Sequence, residues 1–226
     1  MRRDEIFLKN REKIKKIFKK IKGKGLAIEI GPGLGSITGE IKKKFKETIL
    51  VEKKKSFCEF LKKKYKGSKI INKDFLKYKI KKKSTIIGNI PYSISKNILK
   101  KIIIEKRKIK KAYIMIQKEL FESIIKKKNI FSFLMLINYE IKSIEYLGGE
   151  DFSPKVKVKS VFFEMKPIKN RFPKKIENFI NKNYYFFIKN KKNDKGNFFK
   201  FFKEEKKVSI NENLFFLLLY YKKIKN

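Results

Sequence analysis

Along the first half of the chain the apolar residues alternate between two periods, and that alternation predicts the fold. Ile14, Ile17, Phe18 and Ile21 recur at helical spacing, so an amphipathic helix is expected over about residues 10 to 22, closed by Gly23 and Gly25. Five short runs rich in β-branched residues follow: LAIEI (26–30), TILVE (48–52), SKIIN (68–72), STIIG (84–88) and KAYIMI (111–116). Helical spacing returns after four of them, in SITGEIKKKF, KSFCEFLKKKY, SISKNILKKIIIEK and QKELFESIIKKK. A chain that alternates strand and helix in this way builds a parallel sheet covered on both faces, the doubly wound α/β class. Ligands of that class sit beyond the carboxyl ends of the strands.

The pattern then changes. Residues 130–138 suit a helix, and YEIKSIEYL (139–147) and KVKSVFFEM (157–165) alternate well enough for an antiparallel strand pair, with GGEDFSPKV between them. After Pro167 no strand pattern returns. Phe179, Phe186 and Phe187 stand at helical spacing in a stretch rich in Phe, Tyr, Asn and Lys, which predicts a small helical domain over 167–226 after a larger domain over 1–166. Within it KNKKNDKGN reads as a loop.

Composition narrows the chemistry. The formal charge is +40, and only Arg2, Arg3, Arg11, Arg107 and Arg171 are arginine among 62 basic residues. Abundant Lys, Ile, Asn and Phe, with no His or Trp, point to a compositional bias that fills solvated faces with lysine. The sign of the charge still suits a polyanion such as RNA or DNA. One cysteine, Cys58, excludes a disulfide framework and a cysteine zinc site. The absence of histidine excludes a Ser-His-Asp triad. No metal site is expected. MRRDEIFLKNREK has no apolar core of a signal peptide, and LFFLLLYY (214–221) is too short to span a bilayer. The reading is a soluble, cytoplasmic protein with no membrane partner.

Four segments at strand ends carry candidate chemistry. In IEIGPGLGSIT, Gly31, Gly33 and Gly35 follow a strand and open a helix. Glycine there permits positive φ and close approach of a ligand to the backbone. A nicotinamide fingerprint wants its third glycine where Ser36 stands, so a nucleoside without a pyrophosphate fits better than a dinucleotide. Glu52, at the tip of the second strand, can accept both hydroxyls of a ribose, or be a solvated charge. Asp74, just past the third strand, can accept from an adenine amine, or cap a turn. Together the three describe an adenosine pocket. Asn89, Ile90, Pro91 and Tyr92 end the fourth strand. An adenine amine is a poor nucleophile because its lone pair is delocalised into the ring. The Asn89 side-chain oxygen and the Ile90 carbonyl can accept its two N–H bonds, while Pro91 fixes the backbone and Tyr92 offers a stacking face. The electrophile would be a methyl on a sulfonium, and rate would come from alignment and electrostatics. The bland reading is a strand-to-helix turn with an Asn cap and a Pro in the first turn.

IEIGPGLGSIT, VEKKKSF, NKDFL, GNIPYSIS, IMIQKEL and DFSPKVKVKS, in that order across about residues 5–166, resemble the KsgA-type rRNA adenine N6-dimethyltransferases. The resemblance implies a Class I S-adenosylmethionine-dependent methyltransferase domain: a Rossmann-like, mostly parallel seven-stranded sheet whose last strand is antiparallel, followed by a small helical domain that assists RNA docking. It implies dimethylation of two adjacent adenines in a hairpin loop near the 3′ end of small-subunit rRNA, and a checkpoint role in ribosome assembly. It implies S-adenosylmethionine as cofactor, and as partners small-subunit rRNA and the immature small ribosomal subunit. Nothing in the sequence suggests an obligate dimer, and a monomer is expected. By this resemblance Gly31, Gly33, Glu52, Asp74 and Asn89 contact the cofactor, as does Leu8 of the family's Q-N-F-L motif, which here reads Glu5, Ile6, Phe7, Leu8. Ile6 lacks the amide side chain and can contribute only through its backbone. Asn89, Ile90, Pro91 and Tyr92 hold the target amine. Phe152 resembles the phenylalanine of F-x-P-x-P-x-V-x-S that stacks on the flipped base opposite Tyr92. Pro154, Val158 and Ser160 match that pattern, and Val156 replaces its second proline. GPGLG and QKEL favour the small-subunit branch over the relatives that methylate large-subunit rRNA. The competing readings are a basic RNA-binding assembly factor with weakened transfer, a DNA adenine methyltransferase, and, disfavoured by the glycine spacing, a nicotinamide oxidoreductase.

Overall fold

The computed structural model describes residues 6–126 and 130–168. These belong to a compact unit, Met1–Ile168, distinct from a second unit, Lys169–Asn226. The expected helical domain over 167–226 therefore lies, apart from Pro167 and Ile168, outside the described residues.

A two-residue strand, β1 (Phe7–Leu8), precedes helix α1 (Arg11–Lys20). The helix starts where the Asn10 side chain accepts the Lys13 N–H at 3.1 Å, and it buries Ile14, Ile17 and Phe18. Then come β2 (Leu26–Ile30), α2 (Thr38–Lys44), β3 (Glu47–Glu52), α3 (Lys55–Lys64) and β4 (Lys69–Asn72). Helix α2 begins two residues later than its spacing suggested. The glycine turn runs on through Gly35, at φ 74°, whose N–H donates to the Pro32 carbonyl. Between β4 and β5 (Ser84–Asn89) the chain makes only a 3₁₀ turn, Phe75–Lys77, where the other crossovers carry a helix. Next are α4 (Ser95–Ile104), β6 (Ile109–Gln117), α5 (Lys118–Ile125), α6 (Ile130–Asn138), β7 (Tyr139–Leu147), β8 (Phe152–Ser153) and β9 (Ser160–Pro167).

The main sheet has seven strands in the order β4-β3-β2-β5-β6-β9-β7. The first five are mutually parallel, and β9 runs antiparallel to both β6 and β7, as expected for a Class I methyltransferase sheet. Ala27–Ile30 and Ser84–Gly88 are buried without interruption, which is why these segments read as continuous apolar runs rather than as alternation. A second sheet was not anticipated. Strand β1 pairs antiparallel with β8, Phe7 opposite Ser153 and Leu8 opposite Phe152. Two residues per strand are too few for any period to show. The Ser153–Pro154 peptide is cis. Among the described residues no helix is long and apolar enough to cross a membrane, and no cluster of carboxylates and Cys58 could hold a metal ion.

Candidate active site

Four neighbouring strands, β4, β3, β2 and β5, present their carboxyl ends side by side, and each delivers one of the predicted segments. Ile30 is in register with Val51 on one side and Gly88 on the other, and Glu52 with Asn72. Gly31, Glu52 and Asn89 therefore end three adjacent strands at one level, with Asp74 two residues beyond the fourth. Three inter-strand spacings make this row roughly 14 Å long, the scale of an extended nucleoside with a short side arm. The row lies where the strand order reverses between β2 and β5, the topological switch point.

Its floor is backbone. Gly31 is exposed at φ 56°, and a Cβ built there would meet nothing within 4 Å, so the chain is open to a ligand at this point. Gly33, at φ 54°, is closed from above: a Cβ would lie 2.6 Å from the Phe7 ring, which packs edge-on against Phe57. Glu52 is only 6% exposed. Its Oε2 accepts the Gly33 N–H at 3.1 Å and its Oε1 the Lys54 N–H at 2.8 Å, which locks the carboxylate plane and leaves one lone pair on each oxygen. Asp74 Oδ1 accepts from Leu76 N at 2.9 Å, the turn cap that its sequence context suggested, and Oδ2 lies 3.4 Å from Lys53 Nζ. Beneath the glycine loop Glu29 is sealed in the core. Burial raises its carboxyl to about 8, against the bond from Thr38 Oγ1 at 2.7 Å and with the negative field of Glu52.

At the end of β5 the side chain of Asn89 donates from Nδ2 to the Ile6 carbonyl at 3.1 Å. That bond leaves Oδ1 as the acceptor end of the amide. Ile90 donates its N–H to Met115 O at 3.2 Å, and its carbonyl accepts no hydrogen bond from the described residues. Pro91, at φ −53°, leads into a 3₁₀ turn, Tyr92–Ile94. The Tyr92 hydroxyl lies 2.9 Å from Ser160 Oγ. Burial pushes the Tyr92 phenol above its ordinary value, the Ser160 bond opposes this, and the field of Glu119 adds to it.

The side chains of Leu8 and Phe152 both lie in the core. Both side chains are buried in one core cluster with Ile14, Leu147 and Phe162, and the Phe152 ring is 1% exposed. Leu8 can meet a cofactor only through its backbone, and Phe152 offers no open ring face opposite Tyr92 in this structure. The cause is the β1–β8 pairing, which sets Leu8 and Phe152 directly opposite each other and turns both inward. Asp151 fixes that pairing. Its Oδ1 accepts from Asn10 Nδ2 at 2.7 Å, its Oδ2 from Gly148 N at 2.9 Å, and its carbonyl from Lys9 N at 2.8 Å. Residue-by-residue reading allowed Ile6 a backbone role but missed Asn89 as the partner of its carbonyl, and it missed the parts played by Asp151 and Glu29. A backbone carbonyl leaves no mark in residue identity, and single carboxylates in a strand or loop carry no spacing signal. Ser160 was noticed only as part of a pattern. A lysine-rimmed cavity at the opposite ends of β2–β4, between Leu26, Ile49 and Tyr78, contains none of the candidate residues.

The sequence model of the family described as ribosomal RNA adenine dimethylase matches residues 4–212. A ribosomal RNA small subunit methyltransferase A of Malacoplasma penetrans is 39% identical over 62% of this chain, but the match spans only 55% of that relative's length. A protein of the same name from Francisella tularensis subsp. novicida is 34% identical over 80% of this chain and 73% of its own. Among solved structures, a dimethyladenosine transferase from Plasmodium falciparum superposes with a TM-score of 0.65 at 25% identity, covering 72% of this chain and 63% of that one.

Proposed function

Because the chain belongs to the ribosomal RNA adenine dimethylase family, we propose that it transfers methyl groups from S-adenosylmethionine to the N6 amines of two adjacent adenines in a hairpin loop near the 3′ end of small-subunit rRNA. The observation that carries the proposal is the orientation of Asn89. With Nδ2 spent on the Ile6 carbonyl, Oδ1 is free to accept one N–H of the target amine, and the Ile90 carbonyl to accept the other. Two acceptors held by the sheet bind both amine hydrogens as the nitrogen turns pyramidal, which frees its lone pair from the purine ring; the surplus proton leaves the cationic nitrogen for solvent after transfer. No strong base is then needed before transfer, which suits a chain without histidine. The open backbone at Gly31 and the fixed carboxylate of Glu52 fit the adenosine half of the cofactor, which supplies the methyl. Gly33, Asp74, Asn89 and the backbone of Leu8 are the remaining proposed cofactor contacts. Tyr92 supplies the ring on which the flipped base rests. The immature small subunit is the proposed substrate particle, met by a monomer in the cytoplasm, and residues 167–226 form the proposed docking domain.

Purified protein, labelled cofactor and immature small subunits test this. Asn89→Ala, assayed at saturating cofactor, is expected to lose about 3 kcal/mol of transition-state stabilisation, roughly a hundredfold in rate. Wild-type protein that places no label on adenine amines would overturn the proposal. The buried ring of Phe152 favours one second reading, an RNA-binding assembly factor with weakened transfer. Full RNA affinity with single-turnover transfer near background would select it.

A further inference from the structure

Resting on that reading, we propose that Ser160 is a positioning residue for the transfer: its hydroxyl anchors the far end of Tyr92 and sets the ring as the resting face for the flipped base. The two hydroxyls lie 2.9 Å apart although the residues are 68 positions apart in the chain. Ser160 is completely buried and stands in β9 opposite Gln117 of β6 and Leu147 of β7, so strand ladders hold it from both sides. It is a rigid post. Tyr92 is not rigid by itself. It sits in a three-residue 3₁₀ turn, is half-buried, and makes no ring–ring contact among the described residues. A tyrosine fixed only at its Cα is free in two torsions, and a hydrogen bond at its hydroxyl fixes the other end and restrains both.

Three segments that the sequence singled out meet at this bond. GNIPYSIS brings Tyr92 and DFSPKVKVKS brings Ser160. QKEL brings Gln117 beside Ser160 in the sheet, with Glu119 close enough for its charge to act on the phenol. The inward turn of Phe152 makes the arrangement matter more, because Phe152 then offers no open ring face while Tyr92 stays half-exposed at the end of β5. Ser160 touches neither base nor cofactor in this scheme. It acts through Tyr92.

Ser160→Ala and Tyr92→Phe each remove the bond, and the second keeps the ring. Each is expected to lower kcat roughly tenfold with KM for S-adenosylmethionine unchanged, an effect of misalignment rather than of lost binding. The double variant is expected to be no slower than either single one, since both delete one interaction. A bond that only stabilises the fold would lower Tm and leave kcat alone. The second readout uses a hairpin carrying 2-aminopurine at the target position. Its fluorescence in complex is expected to rise roughly twofold in both variants, as contact between base and ring loosens. That arm reports stacking whether or not a methyl is transferred. A wild-type protein that binds and stacks the base but never methylates it would sink the proposed function and still decide this inference. Wild-type kcat and fluorescence in both variants overturn it, as does a double variant whose loss is the product of the single losses.

Discussion

Glu29 is one residue before the last of β2, with its carboxyl cut off from water and Oε1 without a partner among the described residues. Its folded value of about 8 lies above the ordinary 4.5, so the folded chain keeps a proton that the unfolded chain releases. The contribution is fully present below about pH 4.5 and is lost as pH rises towards about 8, at roughly 1.4 kcal/mol per pH unit. Glu29→Gln has the same shape and keeps an acceptor for Thr38 but cannot ionise. Urea denaturation from pH 5 to pH 9 is expected to show wild type weakening with pH relative to the variant. Parallel curves would mean that Glu29 is ionised in the folded protein. At this scale the sequence was readable where residue type dictates geometry. Gly31 and Gly33 hold positive φ, and Asp74 caps its turn as its setting suggested. It was unreadable for Glu29, since LAIEI looks the same whether its glutamate faces water or the core.

Strands β1 and β8 show how little sequence an element needs when the tertiary structure supplies the rest. Their pairing is held by Asp151, whose carboxylate accepts from Asn10 and from Gly148. Asp151→Ala leaves those donors unpaired in a largely buried place and is expected to cost about 2–3 kcal/mol. The same substitution frees the segment carrying the Ile6 carbonyl, so Asn89 loses its anchor and methyl transfer falls with stability. Urea denaturation paired with a rate measurement checks both. Full activity in a destabilised variant would disconnect β1 from the site. The long elements were legible because each buries enough surface to impose a period: α1 was expected over about 10 to 22 and spans Arg11–Lys20, and the β7–β9 pair was read from alternation. The inward turn of Phe152 was not, because it follows from pairing between segments more than 140 residues apart.

For the whole molecule, charge and cofactor are the levers. If the +40 charge serves RNA, affinity for a hairpin should fall with salt at a log–log slope of about −4 or steeper, at about −0.7 to −0.9 per neutralised phosphate. A flat dependence assigns the lysines to composition alone. Saturating cofactor, at ~100 times its Kd, is expected to add about 2.7 kcal/mol of stability, read as a rise in Tm. Strand–helix alternation, glycine spacing and the absence of histidine were enough to determine the α/β class and a chemistry free of imidazole, and they point to the carboxyl end of the sheet for the proposed site. Those are local or periodic properties, and a linear string records them. The tertiary structure alone decided which end of the Asn89 amide is free, that Ser160 holds Tyr92, and that Phe152 lies in the core. Each depends on a contact between distant segments, and such contacts exist only once the sheet order has brought them together.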